Sequence, residues 1–331
     1  MTPSIRSIFA SSITAVGVLL APVQSQAAIT LGVDFSAYLA TSLGSVPGLT
    51  PNYGGLTFLN NSTILIGGAA NTAGGQLNTI GVTRDGSGHV NGFTGSATAF
   101  GSVGTFNDGG VTFGPGGVLF TSQWPANKLG QTKPGSLVED KVIDLATFGV
   151  AGSHAALNFV PSGFGGAGQM KLVSWSGGQF YTATYITDGA GTYDIAAVSQ
   201  EDLGAAPGIQ TVLGGPEGFV YIGAGNSGFS VNSMLISEYS AGTVGAYDVD
   251  ANGNPLVDSR RDFLTGLTGA EGAAIDPLTG DFLFSTFGGG SQVVVVQGFL
   301  RPVSTDVPEP GTLALLGLAL MGLAAVRRAR G

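Results

Sequence analysis

A two-stranded pattern recurs five times along this chain and limits the fold more than any other feature. Each copy has a small residue, a short apolar strand, a Gly/Pro/Asn turn and a second apolar strand. The copies start at Gly55, Gly110, Ala156, Gly218 and Gly272, so their spacings are 55, 46, 62 and 54 residues. Periods of about 40–50 residues with several short strands are typical of propeller blades.

Further strand pairs follow several of these hairpins, and their turns carry Asp-Gly or Asn-Gly. Examples are Asp85-Gly86, Asp188-Gly189 and Asn252-Gly253, residue pairs that tolerate the positive φ of tight hairpins. The sequence therefore predicts an all-β protein, a propeller of five four-stranded blades. A sixth blade is the alternative if the stretch 124–152 hides one, and a β-sandwich or β-helix is the other alternative.

The last repeat stops after residues 292–299, one strand short of a full blade. The lone apolar segment 29–35 near the start of the body is predicted to supply the missing strand. Closing the ring in this way would cover an exposed strand edge.

The predicted domain, residues 28–306, is strongly acidic. It carries 8 Lys/Arg and 20 Asp/Glu, a net charge of −12, which disfavours binding to nucleic acid. The chain has no cysteine, so disulfides, thiolate zinc sites and cysteine nucleophiles are excluded. Its stability must come from burial of apolar side chains.

Aligning the five hairpins suggests a site near the propeller axis. Gly54, Gly109, Ala155, Glu217 and Glu271 share one register, and Asp108 and His154 lie one residue earlier. Because the first strand of each blade lines the axis, we expect Asp108, His154, Glu217 and Glu271 to converge at one channel mouth. Such a set is suited to Ca²⁺, Mg²⁺ or Zn²⁺, or to general acid–base chemistry. Alternatively, each side chain only caps a strand end or binds loop amides.

Three glycine-rich or acidic motifs are interpreted as turns. Residues 248–253 match the first half of a calcium loop, but Ser259 stands where an EF-hand needs its bidentate Glu. Two G-x-G-x-x-G sequences, 163–168 and 223–228, lie between predicted strands. Nucleotide binding would require a helix after the loop.

Nucleophilic catalysis has little support in the sequence. There is no G-x-S-x-G elbow, and the only histidines are His89 and His154. His89 is predicted to be an exposed strand residue. Trp124 and Trp175 are candidates for stacking on a sugar ring, although Trp175 is expected to pack in the core.

Both ends of the chain have the pattern of targeting segments. Arg6, the apolar run 13–20 and the small residues of Ser25-Gln26-Ala27 predict a secretory signal peptide and signal helix over 1–27. Residues 307–331 contain Pro308-Glu309-Pro310, an uncharged apolar run 311–326, and Arg327, Arg328 and Arg330. The run is shorter than the roughly 20 residues of a full membrane span, and the arginines favour the cytoplasmic side.

This tail resembles the PEP-CTERM signal of exported bacterial proteins, a match carried by Pro308, Glu309 and Pro310. The alternative is a plain membrane anchor. The resemblance implies a Gram-negative host with exopolysaccharide or biofilm, and processing by the membrane transpeptidase exosortase after transient anchoring by a transmembrane sorting helix. Residues 215–218 and 267–287 are also similar to uncharacterised PEP-CTERM propeller-like proteins.

The sequence thus predicts an exported, non-enzymatic scaffold or binding module at the cell surface or in an extracellular matrix. Its expected partners are exosortase and exopolysaccharide or surface proteins. It is expected to have no cofactor, with Ca²⁺ or another divalent cation as the alternative. The competing hypothesis is a metal-dependent lactonase or sugar hydrolase with a carboxylate site at the channel mouth.

Overall fold

The computed structural model describes residues 28–301 and contains five β-sheets arranged as propeller blades. The predicted signal peptide and sorting tail lie outside the described residues. Within residues 28–301, no helix is long and apolar enough to cross a membrane.

Each blade is an antiparallel sheet that begins with its innermost strand. Two short strands precede the first blade, β1 (Thr30–Leu31) and β2 (Leu39–Gly44). Blade 1 contains β3 (Leu56–Asn60), β4 (Thr63–Gly68), β5 (Gln76–Arg84) and β6 (Val90–Ala99). Blade 2 contains β7 (Asn107–Phe113), β8 (Leu119–Gln123), β9 (Lys128–Thr132) and β10 (Lys141–Asp144). Blade 3 contains β11 (His154–Phe159), β12 (Met170–Ser174), β13 (Phe180–Thr187) and β14 (Tyr193–Gln200).

The remaining two blades draw on both ends of the described chain. Blade 4 contains β15 (Pro216–Ile222), β16 (Ser233–Glu238), β17 (Thr243–Asp248) and β18 (Arg261–Thr265), with β1 added at its outer edge. Blade 5 contains β19 (Ala270–Ile275), β20 (Phe282–Thr286), β21 (Val293–Gln297) and, as its fourth strand, β2. Short 3-10 turns occur at Val33–Phe35, Pro115–Gly117, Leu145–Phe148 and Val257–Ser259.

The predicted five-bladed all-β propeller is therefore confirmed, and the predicted six-blade alternative is wrong. The stretch 124–152 contains β9 and β10, which complete blade 2 rather than form another blade. The strand predicted to complete blade 5 was placed too early in the chain. Residues 39–44 make that pairing, while Thr30–Leu31 pairs with Leu264 and Thr265 of blade 4.

One apolar cluster lies between each pair of neighbouring blades, which is how a ring of half-buried sheets acquires a core. The cluster between blades 4 and 5 is rich in aromatic rings, and that between blades 1 and 2 consists of smaller aliphatic side chains. Because every face of every blade packs against a neighbour, burial alone can hold the ring together without disulfides.

The inner strands approach so closely that they constrict the axis. A Cβ on Gly55 would lie 2.8 Å from the Gly109 carbonyl oxygen, and one on Gly218 would lie 2.5 Å from the Ala273 amide nitrogen. A Cβ on Gly272 would lie 2.6 Å from the Gly55 Cα. Glycine is needed at these equivalent positions because backbone meets backbone there. The residues that precede the constriction form the candidate site.

Candidate functional site

The first residues of the inner strands are bulged, and the bulges set which side chains point to the axis. Four first residues pair with the last residue of the second strand of their blade: Asn107 with Gln123, His154 with Ser174, Pro216 with Glu238, and Ala270 with Thr286. A register shift follows each pair. Such bulges re-aim side chains and are common near functional sites.

Counting from these pairs gives the true equivalence of the four blades. Asp108, Ala155, Glu217 and Glu271 each follow the paired residue, so they share one register. The bulge of blade 2 holds one more residue than the others. For that reason Asp108, and not Gly109 as the sequence alignment had it, stands in line with the two glutamates.

The structure brings Asp108, Glu217 and Glu271 together as a carboxylate cluster. One carboxylate oxygen from each lies within 4.8 Å of the others. The three residues are 1%, 4% and 1% exposed, respectively. Five of their six carboxylate oxygens are buried without a regular hydrogen-bond partner.

Burial makes these carboxyl groups hard to ionise. It raises the pKa of Asp108 to about 7, against the opposing effects of its neighbours Glu271 and Asn71. Burial and then repulsion from Asp108 raise the pKa of Glu217 well above its usual range. Burial, followed by repulsion from Glu217 and Asp108, does the same for the pKa of Glu271. The cluster therefore has to take up protons or a cation.

His154 does not join the three carboxylates. It is the residue paired with Ser174 and so lies one step before the register of the cluster. Its Nδ1 lies 3.0 Å from the Lys128 carbonyl oxygen of blade 2, and burial lowers its pKa to about 4. A neutral imidazole whose Nδ1–H donates to that carbonyl fits this environment, so His154 joins blades 2 and 3. In blade 3 the residue in the register of the cluster is Ala155.

Asn71 is a neighbour of the cluster that sequence reasoning missed. It follows the second strand of blade 1, its amide group contacts Asp108, and its Oδ1 is buried without a hydrogen-bond partner. Its backbone N–H donates to the Asn107 carbonyl, which fixes it beside β7. In blade 1 the inner strand contributes Gly54, which has no side chain to offer. Asn71 instead follows the second strand, so only an alignment of the second strands of the blades would have predicted it.

An arc of four aromatic residues surrounds the same end of the axis. Each follows the second strand of its blade directly, and together they form the aromatic arc: Trp124, Trp175, Tyr239 and Phe287. Successive ring centroids are 6.5, 6.3 and 6.0 Å apart, with interplanar angles of 77°, 79° and 71°. All four side chains are partly exposed. In blade 1 the arc is interrupted, because Ala69 follows β4 and Ala70 is the residue whose N–H donates to the Asn52 carbonyl.

The same backbone hydrogen bond holds each aromatic residue of the arc in its blade. The N–H of each aromatic residue donates to a carbonyl just before the inner strand, at distances of 2.8–3.0 Å. The accepting residues are Phe106, Ser153, Gly215 and Gly269. All have φ between 56° and 72°, as does Asn52 at the equivalent place in blade 1. Glycine adopts this conformation readily, whereas other residues rarely do, so the turn is strained in the blades where Phe106 and Ser153 occupy it.

The other motifs of the sequence are structural. The Asp250 carboxylate accepts the Asn252 and Asn254 amides in a hairpin turn, as the turn interpretation predicted. Both G-x-G-x-x-G sequences lie between the first and second strands of their blades. His89 is partly exposed, and its Nδ1 is 2.6 Å from the buried Asp281 of blade 5.

Residues 306–329 match the family model of the PEP-CTERM protein-sorting motif. The chain carries a PEP-CTERM sorting motif. The match includes Pro308, Glu309 and Pro310, and the motif implies an exported protein that an exosortase processes at the membrane. It concerns the tail only and leaves the activity of the propeller open. A search of curated proteins finds no match for the chain.

Several solved structures are similar to the propeller at low identity. The PQQ domain of pyranose dehydrogenase from Coprinopsis cinerea is 12% identical, with a TM-score of 0.44, and 83% of this chain and 98% of that one are covered. A putative oxidoreductase (glucose dehydrogenase) from Thermus thermophilus is 11% identical, with a TM-score of 0.45 and coverage of 78% and 100%. A putative 6-phosphogluconolactonase from Bacteroides uniformis is 12% identical, with a TM-score of 0.39 and coverage of 77% and 75%. No function follows from likeness at this level.

Proposed function

We propose that this protein is an exported, non-enzymatic binding module that holds a divalent cation of the Ca²⁺ type in its carboxylate cluster. Its place of action is the cell surface or an extracellular matrix, after transient anchoring by the sorting tail. Exopolysaccharide or other surface proteins are the partners that this location favours.

The observation that carries the proposal is the set of five buried carboxylate oxygens without hydrogen-bond partners. A buried carboxylate that is neither paired nor hydrogen-bonded is costly. Three of them within 4.8 Å also repel one another. A divalent cation would neutralise most of this charge and use the oxygens that the protein leaves free.

The donor set favours a hard cation over zinc. Asp108, Glu217 and Glu271 offer only oxygen, and the Asn71 amide can add a neutral oxygen beside Asp108. Carboxylate and amide oxygens are the ligands that Ca²⁺ prefers, whereas zinc sites favour nitrogen and sulfur. His154 is engaged with the Lys128 carbonyl instead.

Calcium titration of the purified protein by isothermal calorimetry, after treatment with EDTA, tests the proposal. We expect one Ca²⁺ per chain, and at least about tenfold weaker binding in Glu217→Gln and Asp108→Asn. Asp34→Asn is the matched control, because Asp34 is exposed on a 3-10 turn far along the chain from the cluster. Failure of the unsubstituted protein to bind Ca²⁺, or equal loss in the control, would overturn the proposal.

A metal-dependent lactonase or sugar hydrolase is the second candidate, favoured by one observation. Burial places the pKa of Asp108 at about 7, a suitable value for a general acid or base. Assays with a panel of lactones and aryl glycosides in the presence of Ca²⁺ separate the candidates. Turnover that disappears in Asp108→Asn would favour the enzyme, and stoichiometric Ca²⁺ binding without turnover would favour the binding module.

A further inference from the structure

The aromatic arc and the carboxylate cluster occupy the same end of the propeller axis. Gln123 pairs with Asn107, and Glu238 pairs with Pro216. Gln123 and Glu238 are followed by Trp124 and Tyr239 of the arc, and Asn107 and Pro216 are followed by Asp108 and Glu217 of the cluster. The arrangement therefore places partly exposed aromatic rings around a buried group of carboxyl side chains.

The arc lies close to the cluster. Tyr239 lies between Trp175 and Phe287 in the arc. Burial is the main cause that raises the pKa of its hydroxyl, and the charges of all three cluster residues raise it further. The domain as a whole is also acidic, with a net charge of −12 over residues 28–306. This net negative charge favours cations over neutral or anionic ligands at the arc.

We propose that the aromatic arc, with the carboxylate cluster next to it, binds small organic cations with a quaternary or alkylated ammonium group. Aromatic faces attract such cations through their quadrupoles, most strongly for Trp. A hydrated metal ion gains less from apolar rings than a methylated ammonium, whose surface is apolar and whose charge is diffuse.

Burial of the cluster directs an organic cation to the arc. The three carboxyl side chains are only 1–4% exposed, so they are not open to a ligand of this size. The four rings of the arc are partly exposed. An ammonium group is therefore expected to contact the rings and not the carboxyl groups.

Tryptophan fluorescence gives a selective readout, because the chain has two tryptophans and both belong to the arc. The protein is titrated with choline or tetramethylammonium in EDTA-containing buffer. Choline is compared with its uncharged analogue 3,3-dimethyl-1-butanol and with glucose. We expect a saturable spectral change with the two ammonium ions, and at least about fivefold weaker binding of the uncharged analogue.

Variants assign the effect to the arc. Phe287→Leu and Tyr239→Leu are expected to weaken choline binding at least about fivefold. Phe113→Leu is the matched control, since Phe113 is exposed at the opposite end of β7. Circular dichroism and thermal melts of each variant check that the propeller has folded. Equal responses to choline and its neutral analogue, saturation with glucose alone, or no saturable response to the ammonium ions would overturn the inference.

The arc lies beside the carboxylate cluster of the proposed function, but the inference does not require a bound metal. Choline binding without calorimetric Ca²⁺ binding would refute only the proposed cation site. Ca²⁺ binding without a choline response would refute only the arc proposal.

Discussion

Ser122 of blade 2 and Ser285 of blade 5 make the same two hydrogen bonds at equivalent places in the ring. The Ser122 hydroxyl accepts the Gly110 amide of its own blade at 2.8 Å and donates to the Ala155 carbonyl of blade 3 at 2.6 Å. The Ser285 hydroxyl accepts the Gly272 amide at 2.9 Å and donates to the Gly54 carbonyl of blade 1 at 2.5 Å. Each serine therefore ties the bulge of one blade to the next blade.

Replacing either serine by alanine is expected to destabilise the propeller. Ser122→Ala and Ser285→Ala each leave a buried amide and a buried carbonyl without partners, which costs about 1–3 kcal/mol. Urea unfolding followed by circular dichroism measures the loss. Ser237→Ala is the control, because Ser237 occupies the same position in blade 4 and its hydroxyl has no partner. An equal loss in Ser237→Ala would contradict the bridging role.

The protein without metal is expected to lose stability as pH rises from 6.5 to 8.5. The cluster carboxyls have pKa values raised by folding, to about 7 for Asp108, so the folded state binds more protons than the unfolded state in this range. The slope is about 1.4 kcal/mol per pH unit for each proton concerned. Urea unfolding at both pH values in EDTA measures it, and Ca²⁺ is expected to abolish it.

A double variant isolates the source of this pH dependence. Glu217→Gln with Glu271→Gln removes two of the titrating groups, so its stability should vary less between pH 6.5 and 8.5. His154 acts in the opposite sense at lower pH: its pKa is lowered to about 4, so it favours the folded state as pH rises from 4 to 6.5. An unchanged slope in the double variant would show that other groups are responsible.

Gly215→Ala is expected to disturb both stability and the aromatic arc. Gly215 has φ of 72°, and an added Cβ would lie 2.6 Å from the Ser240 hydroxyl and 2.7 Å from Trp175 Nε1. We expect a loss of about 1–3 kcal/mol and a change in tryptophan emission. Gly149→Ala is the control, since its φ is 79° but the added Cβ meets nothing within 4 Å. The control should lose stability without a change in emission.

Arg84→Ala is expected to weaken the junction between blades 1 and 5. Arg84 donates two hydrogen bonds, of 2.5 and 3.1 Å, to Asp276, whose side chain is fully buried. Removing the arginine leaves this charge unpaired, at a cost of about 3–5 kcal/mol. Lys133→Ala breaks the more exposed pair with Asp140 and should cost less than about 1 kcal/mol. Thermal melts compare the two variants, and similar losses would contradict the prediction.

The blade plan could be predicted from sequence because each hairpin buries two apolar strands and recurs at intervals of 46 to 62 residues. All five predicted starts lie in or directly before the inner strands of the structure. The closing strand was predicted less well. Both 29–35 and 39–44 carry apolar residues, and only the hydrogen-bond register with β21 selects Leu39–Gly44.

The candidate site could be predicted only in part, for a reason of backbone geometry. A β-bulge leaves no signal in the amino-acid sequence. The extra residue in the bulge of blade 2, which contains Gly109 and Gly110, could therefore not be predicted, and the sequence alignment puts Asp108 one position away from Glu217. His154 was placed with the carboxylates by the same counting. The aromatic arc was missed because its members become equivalent only when the second strands, rather than the first, are aligned.

The pairing of β2 with β21 joins the two ends of the described chain within one blade. Leu39–Gly44 has no partner strand until Val293–Gln297 is present. A chain that ends before residue 293 therefore leaves an unpaired strand edge on blade 5, and such an edge favours aggregation.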